Sequence, residues 1–247
     1  MTKDLIMGRK IPVIEIFNSI SGEGISAGTI VTFVRVAGCN LRCSFCDTRY
    51  SYEGTYNIEE MLPEQILEKV AEYKCKDIIC TGGEPLETGM EKRYLPLFLA
   101  SYGYNVRIET NGSCELYSEE ELRSFGIDNV LRNVYYTIDV KCPGSEMSKF
   151  DLIEKNVHFL KKEDEIKFVI AGEEDFEYSI EKIKAFKDIF RSNEITLNFS
   201  PVFGSIEPAE LVELLKLHNS FFAEHELRVR LSLQIHKFIW NPQKRGV

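Results

Sequence analysis

No uncharged apolar run in this sequence approaches the ~18 residues that suggest a membrane span, and the opening Met1-Thr2-Lys3-Asp4 lacks the apolar core of a secretory signal. Both absences point to a cytoplasmic protein with no membrane partner. Basic charge is in deficit: 30 Lys plus Arg stand against 39 Asp plus Glu, a net charge of −9. Nucleic-acid affinity comes largely from Lys and Arg displacing counterions from phosphates, so the balance argues against a nucleic-acid partner. Repeats at solenoid periods, low-complexity tracts and a Pro/Gly/Ser linker are also missing, which leaves one domain over residues 1–247 as the simplest organisation. Cysteines do not even pair in number: there are seven, at 39, 43, 46, 75, 80, 114 and 142. Without an export signal they read as reduced thiols or metal ligands. A chain of this length buries roughly 70–75% of its unfolded surface, so neither disulfides nor a structural metal are needed to hold a core.

What is present is a regular alternation. Short β-branched runs at 29–36, 77–80, 105–109, 135–140, 165–170, 195–200 and 228–234 read as strands. Between them lie segments of helical period. Phe176, Ile180, Ile183, Phe186 and Phe190 share one helix face, Leu211, Leu214, Leu215, Phe221 and Phe222 do likewise, and Pro63 sits where a first helical turn tolerates it. Six strand–helix units and a closing strand imply parallel strands joined by right-handed crossovers, short of the eight units of a closed barrel. In such folds ligands gather at the C-terminal ends of the strands. The chemically unusual stretches, 38–48, 81–85, 109–112, 139–141 and 200–201, each end or follow a predicted strand. They are expected to converge on one rim.

The strongest signal is Cys39-Asn40-Leu41-Arg42-Cys43-Ser44-Phe45-Cys46, a C-x3-C-x2-C pattern directly after the first predicted strand. Three thiolates at this spacing can wrap one loop around an iron–sulfur cube and leave its fourth iron without a protein thiolate. The alternatives are a zinc site, which normally recruits a fourth Cys or His, and three cysteines on one helix face. Cys75, Cys80, Cys114 and Cys142 are scattered and read as small buried hydrophobes. Thr81-Gly82-Gly83-Glu84-Pro85 follows the second predicted strand. Its paired glycines let backbone approach a ligand closely, although alone it also reads as a strand-to-helix turn.

The cysteine loop and the Gly-Gly-Glu-Pro segment together resemble the radical S-adenosylmethionine (SAM) superfamily. That resemblance implies a partial (βα)6 barrel, a [4Fe-4S] cluster on Cys39, Cys43 and Cys46 as the catalytic ligands, and SAM chelated by the fourth iron. It further implies SAM contacts from Phe45, Cys46, Asp47, Gly83, Glu84, Glu109, Asp139, Val140, Lys141 and Ser200.

Glu15 to Gly24, Phe33 to Cys39, Cys46-Asp47-Thr48 and the ending Gln234-Ile235-His236-Lys237 are similar to the 7-carboxy-7-deazaguanine synthase family. The resemblance implies ring contraction of 6-carboxy-5,6,7,8-tetrahydropterin with loss of ammonia, in the deazapurine pathway to queuosine. It places Ile20, Ser21, Gly22, Glu23, Arg35, Thr81 and His236 at the substrate and Thr48 on Mg2+, and it implies a C-terminal tail that closes the site. It also implies an electron donor such as flavodoxin or ferredoxin, and a homodimer. Two positions depart from the family pattern: Ser21 stands where Gln is common, and Asp139-Val140-Lys141 replaces Ser-Pro-Lys. The latter looks like the Asp-x-Lys of glycyl-radical-enzyme activases, but those follow their third cysteine with His-Asn, not Asp47-Thr48. An activase and a non-enzymatic zinc protein are the competing readings. Of the histidines, His218 is expected to pack beside its helix stripe, and His158 and His225 have no chemical neighbours in sequence.

Overall fold

The computed structural model describes residues 6–54, 57–127, 133–242 and 244–247, so Met1 to Asp4, read above for a leader, lie outside the described residues. The elements run in the order β1 (Ile11–Ile20), β2 (Ile30–Val36), β3 (Glu59–Met61), α1 (Pro63–Glu72), β4 (Asp77–Gly82), α2 (Leu95–Ser101), β5 (Asn105–Thr110), α3 (Glu119–Ser124), β6 (Val134–Val140), α4 (Ile153–Asn156), β7 (Glu165–Ile170), α5 (Glu173–Ser192), β8 (Thr196–Pro201), α6 (Pro208–Leu217), α7 (Asn219–Glu224), β9 (Arg228–Leu231) and α8 (His236–Ile239). They build one nine-stranded open sheet of order β3-β1-β2-β4-β5-β6-β7-β8-β9. From β2 to β9 every pairing is parallel. Each predicted strand is present within a residue or two, except that the last stops at Leu231 instead of 234.

The sequence reading did not include β1 and β3, which add antiparallel to the β2 edge. The reason is chemical. From Glu15 onward one face of β1 borders an interior cavity instead of the apolar core, so Glu15, Asn18 and Ser19 break the alternation that marks a strand. The helical stripe 211–222 also differs: the chain breaks at His218 into α6 and α7, of which only Leu211 and Phe222 are fully buried. His218 packs as expected, edge-on to Phe176 with its Nδ1 3.1 Å from the Leu214 carbonyl oxygen. In α5 the stripe holds, with Phe176, Ile180, Ile183 and Phe190 buried.

Alternation in the sheet sets up the site. In β2, Val34 and Val36 are buried in the core, whereas Phe33 and Arg35 line the cavity on the other face. The gap between the two sheet edges is bridged below the cavity by the loop after β1 and the segment after β9. The Gly24 amide donates to Ser232 Oγ (3.1 Å), the Ile235 amide to the Gly22 carbonyl (3.0 Å), and the Ile25 amide to the buried Glu165 carboxylate (2.8 Å). These bonds join residues more than 100 positions apart. They satisfy backbone groups that a partial barrel would otherwise leave exposed.

Candidate active site

The cysteine loop leaves β2 through Gly38, whose φ of +83° is a conformation that favours glycine. Three partners fix its start. The Gly38 amide donates to the Ser51 carbonyl (2.8 Å), and the Glu84 amide donates to the Gly38 carbonyl (2.9 Å). The third is Lys92, 1% exposed, whose ammonium donates to the carbonyls of Ala37 (2.8 Å) and Gly38 (2.7 Å) and pairs with Glu87 (2.6 Å). A Cβ on Gly83 would run into the Gly38 carbonyl, so this glycine permits two backbones to meet. That differs from the expected reason, close approach to a ligand, although Gly83 also lines the cavity.

The three thiols stand half-buried and free. Cys39 Sγ faces the Leu41 amide (3.5 Å) and the Asn111 side-chain amide (3.6 Å). Burial pushes the Cys39 and Cys43 thiols up; the Leu41 amide opposes this at Cys39 and the Lys141 ammonium at Cys43. Bound iron reverses that penalty, because metal binding releases the thiol protons. Among the described residues no three His, Cys, Asp or Glu side chains converge on a point where one ion could sit. A zinc site requires such convergence. In a four-iron cube each thiolate takes a different iron, and three free thiols on one loop beside a shared cavity are the donor set such a cube uses.

Inside the half-barrel lies a cavity of about 820 Å³ bordered by all three cysteines. Its walls carry a connected run of charge. Asp139 accepts from Lys141 (2.9 Å) and Lys167 (3.1 Å), Lys167 reaches Glu23 (3.1 Å), and Glu23 accepts from the Gln234 amide (2.6 Å). Burial alone would raise the Asp139 carboxyl, but the two lysines outweigh it and hold it below its ordinary value. Lys167 goes the other way: burial lowers it, yet Asp139, Glu23 and Glu109 leave it well above the usual ammonium value. Glu109 is raised, because burial exceeds the pull of Lys167. On the opposite wall, Arg35 Nε donates to Glu15 Oε1 (2.7 Å) across the β1–β2 pairing, where a register shift between Val13 and Glu15 puts these two side by side.

The cavity collects Phe45, Asp47, Gly83, Glu109, Asp139, Lys141 and Ser200 from the expected SAM set, and Ile20, Gly22, Glu23, Arg35, Thr81 and His236 from the expected substrate set. Thr48 borders it too, its hydroxyl donating to Asp47 Oδ1 (2.8 Å). Three expected residues turn elsewhere. Glu84 is fully buried, its carboxylate taken by Thr110 Oγ1 (2.8 Å) and the amides of Asn111 (2.7 Å) and Leu86 (2.8 Å), so it clamps the β4 and β5 loops together. The Val140 side chain alternates into the core. Ser21 is buried with its hydroxyl bonded to Ser26 Oγ (2.8 Å) and the Glu23 carbonyl (3.1 Å), shaping a turn. His236 begins α8, and its ring lies where a Cβ on Gly22 would be. Burial lowers the His236 imidazole below its ordinary value despite the nearby Glu23 carboxylate. Cys80, Cys114 and Cys142 are buried as expected, whereas Cys75 is only half-buried.

Lys92, Lys167 and Glu15 are structural neighbours of the site that the sequence did not single out as site residues. Only alternation carried a signal: Lys167, like Arg35, is a charge flanked by buried apolar residues in a strand. At the mouth, the C-terminal residues Lys244 to Val247 line the cavity, and the Arg245 guanidinium lies 3.9 Å from the centre of the Tyr50 ring.

Residues 33–218 match the Radical SAM superfamily. A 7-carboxy-7-deazaguanine synthase of Clostridium acetobutylicum is 38% identical over 237 residues, covering 95% of this chain and 98% of that one. One of Leptospira interrogans is 36% identical over 254 residues, covering 96% and 98%. The crystal structure of QueE from Escherichia coli aligns with a TM-score of 0.63 at 18% identity over 91% of this chain and 93% of that one, a likeness of fold. The matched range and the near full-length identity agree with the cysteine-lined half-barrel: the chain belongs to the radical SAM superfamily and, within it, to the 7-carboxy-7-deazaguanine synthase family.

Proposed function

We infer that this enzyme contracts 6-carboxy-5,6,7,8-tetrahydropterin to 7-carboxy-7-deazaguanine with release of ammonia, a lyase reaction of 7-deazapurine and queuosine biosynthesis. The observation that carries this reading is the cavity that joins the three thiols to Arg35 and Glu23 in one chamber. Cys39, Cys43 and Cys46 would hold the [4Fe-4S] cluster, which when bound with SAM would supply the radical chemistry for hydrogen abstraction. Everything else falls to the chain itself. Glu15 occupies the Nε edge of Arg35, which leaves the guanidinium's terminal nitrogens for a planar, two-pronged grip on the substrate carboxylate. Glu23, fastened by Lys167 and Gln234, presents a carboxylate to the ring donors of the pterin. His236 lines the same cavity, and its ring nitrogens can accept or donate there.

Asp47 and Thr48 offer hard oxygens at one edge of the cavity, the donor type Mg2+ prefers, and an ion that keeps several waters needs few protein ligands. Asp47 and Thr48 would hold a Mg2+ ion at the cavity edge. The N-terminal loop and the C-terminal residues support a single radical SAM domain, 1–247, completed from both ends. The reading carries with it a cytoplasmic enzyme fed by flavodoxin or ferredoxin, with a homodimer as its proposed assembly. No helix among the described residues is long and apolar enough to cross a membrane.

Anaerobically reconstituted protein, given SAM, reductant and 6-carboxytetrahydropterin, is expected to form 7-carboxy-7-deazaguanine and ammonia. Cleavage of SAM without that product would overturn the substrate assignment and reopen the activase reading.

A further inference from the structure

Lys167 stands on β7 with its ammonium in the cavity wall, 3.1 Å from both Glu23 and Asp139. An ammonium has three donors. Two are taken by these carboxylates, and no third acceptor for it is found among the described residues, so one N–H remains for whatever fills the chamber. Glu23 is equally half-committed: one oxygen takes Lys167 and the other takes Gln234, and each carboxylate oxygen can accept again. The wall thus presents a fixed donor directly beside a fixed acceptor. Arg35, held by Glu15, lines the same cavity from β2, four strands from β7 in the sheet order, and provides a second anchor of different geometry.

A 2-amino-4-oxopyrimidine edge has the complementary pattern, a carbonyl oxygen that accepts beside N3–H and 2-amino groups that donate. We propose that Lys167 is a specificity-determining residue that donates to the 4-oxo oxygen of the substrate while Glu23 accepts from its N3–H and 2-amino groups. This rests on the pterin reading above and adds an orientation to it: the pyrimidine edge meets the Lys167–Glu23 wall and the 6-carboxylate meets Arg35. Asp139, one of the two departures from the family pattern, acts on Lys167 from the side, holding the ammonium in place and charged.

The test is equilibrium binding, read by ligand fluorescence, of two oxidised analogues: 6-carboxypterin and 2,4-diaminopteridine-6-carboxylate, in which position 4 donates and N3 accepts while the 2-amino group still donates. Wild-type protein is expected to prefer the oxo compound by roughly 30-fold, the scale set by charge-assisted hydrogen bonds. Lys167→Met should shrink that preference by about tenfold, and Lys167→Arg should keep most of it. Because Lys167→Met takes one partner from each of two carboxylates, the double variant Asp139→Asn, Lys167→Met removes one charge of each sign and keeps the comparison available if the single variant does not fold. Equal affinity of wild type for both analogues, or an undiminished preference in the Met variants, overturns the proposal while leaving the pterin reading standing. Wild-type protein that binds neither analogue and forms no product overturns both.

Discussion

Lys92→Met removes the cation under the start of the cluster loop while keeping the length of the side chain. The loss can be estimated from its contacts. Two carbonyls, of Ala37 and Gly38, lose their donor at 2.8 and 2.7 Å, and Glu87 loses its partner at 2.6 Å. Each buried carbonyl left unsatisfied costs about 1–3 kcal/mol. Stranding one member of a buried ion pair costs about 3–5 kcal/mol, but Glu87 keeps a quarter of its side chain exposed and recovers part of its hydration. The Gly38 carbonyl also retains the Glu84 amide. A net destabilisation of about 3–4 kcal/mol follows, which at roughly 2–4 °C per kcal/mol for a chain of this size lowers the apo-protein Tm by about 6–16 °C. Domain stabilities are about 5–15 kcal/mol, so the variant should still fold in the cold. Cys39 follows Gly38 directly, and iron uptake on anaerobic reconstitution should therefore fall along with Tm. The assay is thermal unfolding of the apo form by circular dichroism, beside iron and sulfide per chain. A Tm within about 2 °C of wild type, less than one kcal/mol on this scale, with full iron content, would show that the loop does not depend on this anchor.

Alanine at Cys39, Cys43 or Cys46 is expected to abolish turnover and the brown cluster absorbance while leaving far-UV circular dichroism unchanged, because the apolar core forms without a metal staple; wild-type activity in any one removes that cysteine from the ligand set. Arg35→Ala should retain the cluster and reductive cleavage of SAM but lose about 2–5 kcal/mol of substrate binding, seen as a rise in KM; conversion at unchanged KM would take Arg35 out of the site. Thr48→Val removes the hydroxyl but keeps the shape, and stimulation of activity by Mg2+ should weaken. Asp139, although buried, is held below its ordinary value of 3.8 by Lys141 and Lys167. A carboxylate depressed in the folded state contributes stability that is complete above the unfolded value and is lost as pH falls through the folded one. Asp139→Asn should accordingly unfold in less urea than wild type at neutral pH, with the gap closing only below 3.8; a gap that closes near neutrality would contradict the ion chain.

Seven strands, the parallel order and the rim of functional loops were legible in the chain because each is a local pattern: period-two runs, period-three-to-four stripes, and cysteines within eight residues of one another. Arg35 was legible for the same reason, as a charge alternating with buried valines. Tertiary structure alone decided what those groups touch. Glu84 looked like a ligand and is a clamp, because Thr110 and the Asn111 amide arrive from another strand to use its oxygens. Gly83 looked like a ligand approach and is a backbone crossing, because Gly38 arrives from β2. β1 did not look like a strand, because one of its faces answers to a polar cavity instead of a core. Lys92 carried no local signal and Lys167 only its alternation with buried neighbours; their roles arise from carbonyls and carboxylates far away in sequence. Local patterns fix which elements form, since backbone geometry and apolar burial act over a few residues. The balance of buried charge within the chamber is a sum over strands that meet only when the sheet curls, so no single stretch of sequence contains it.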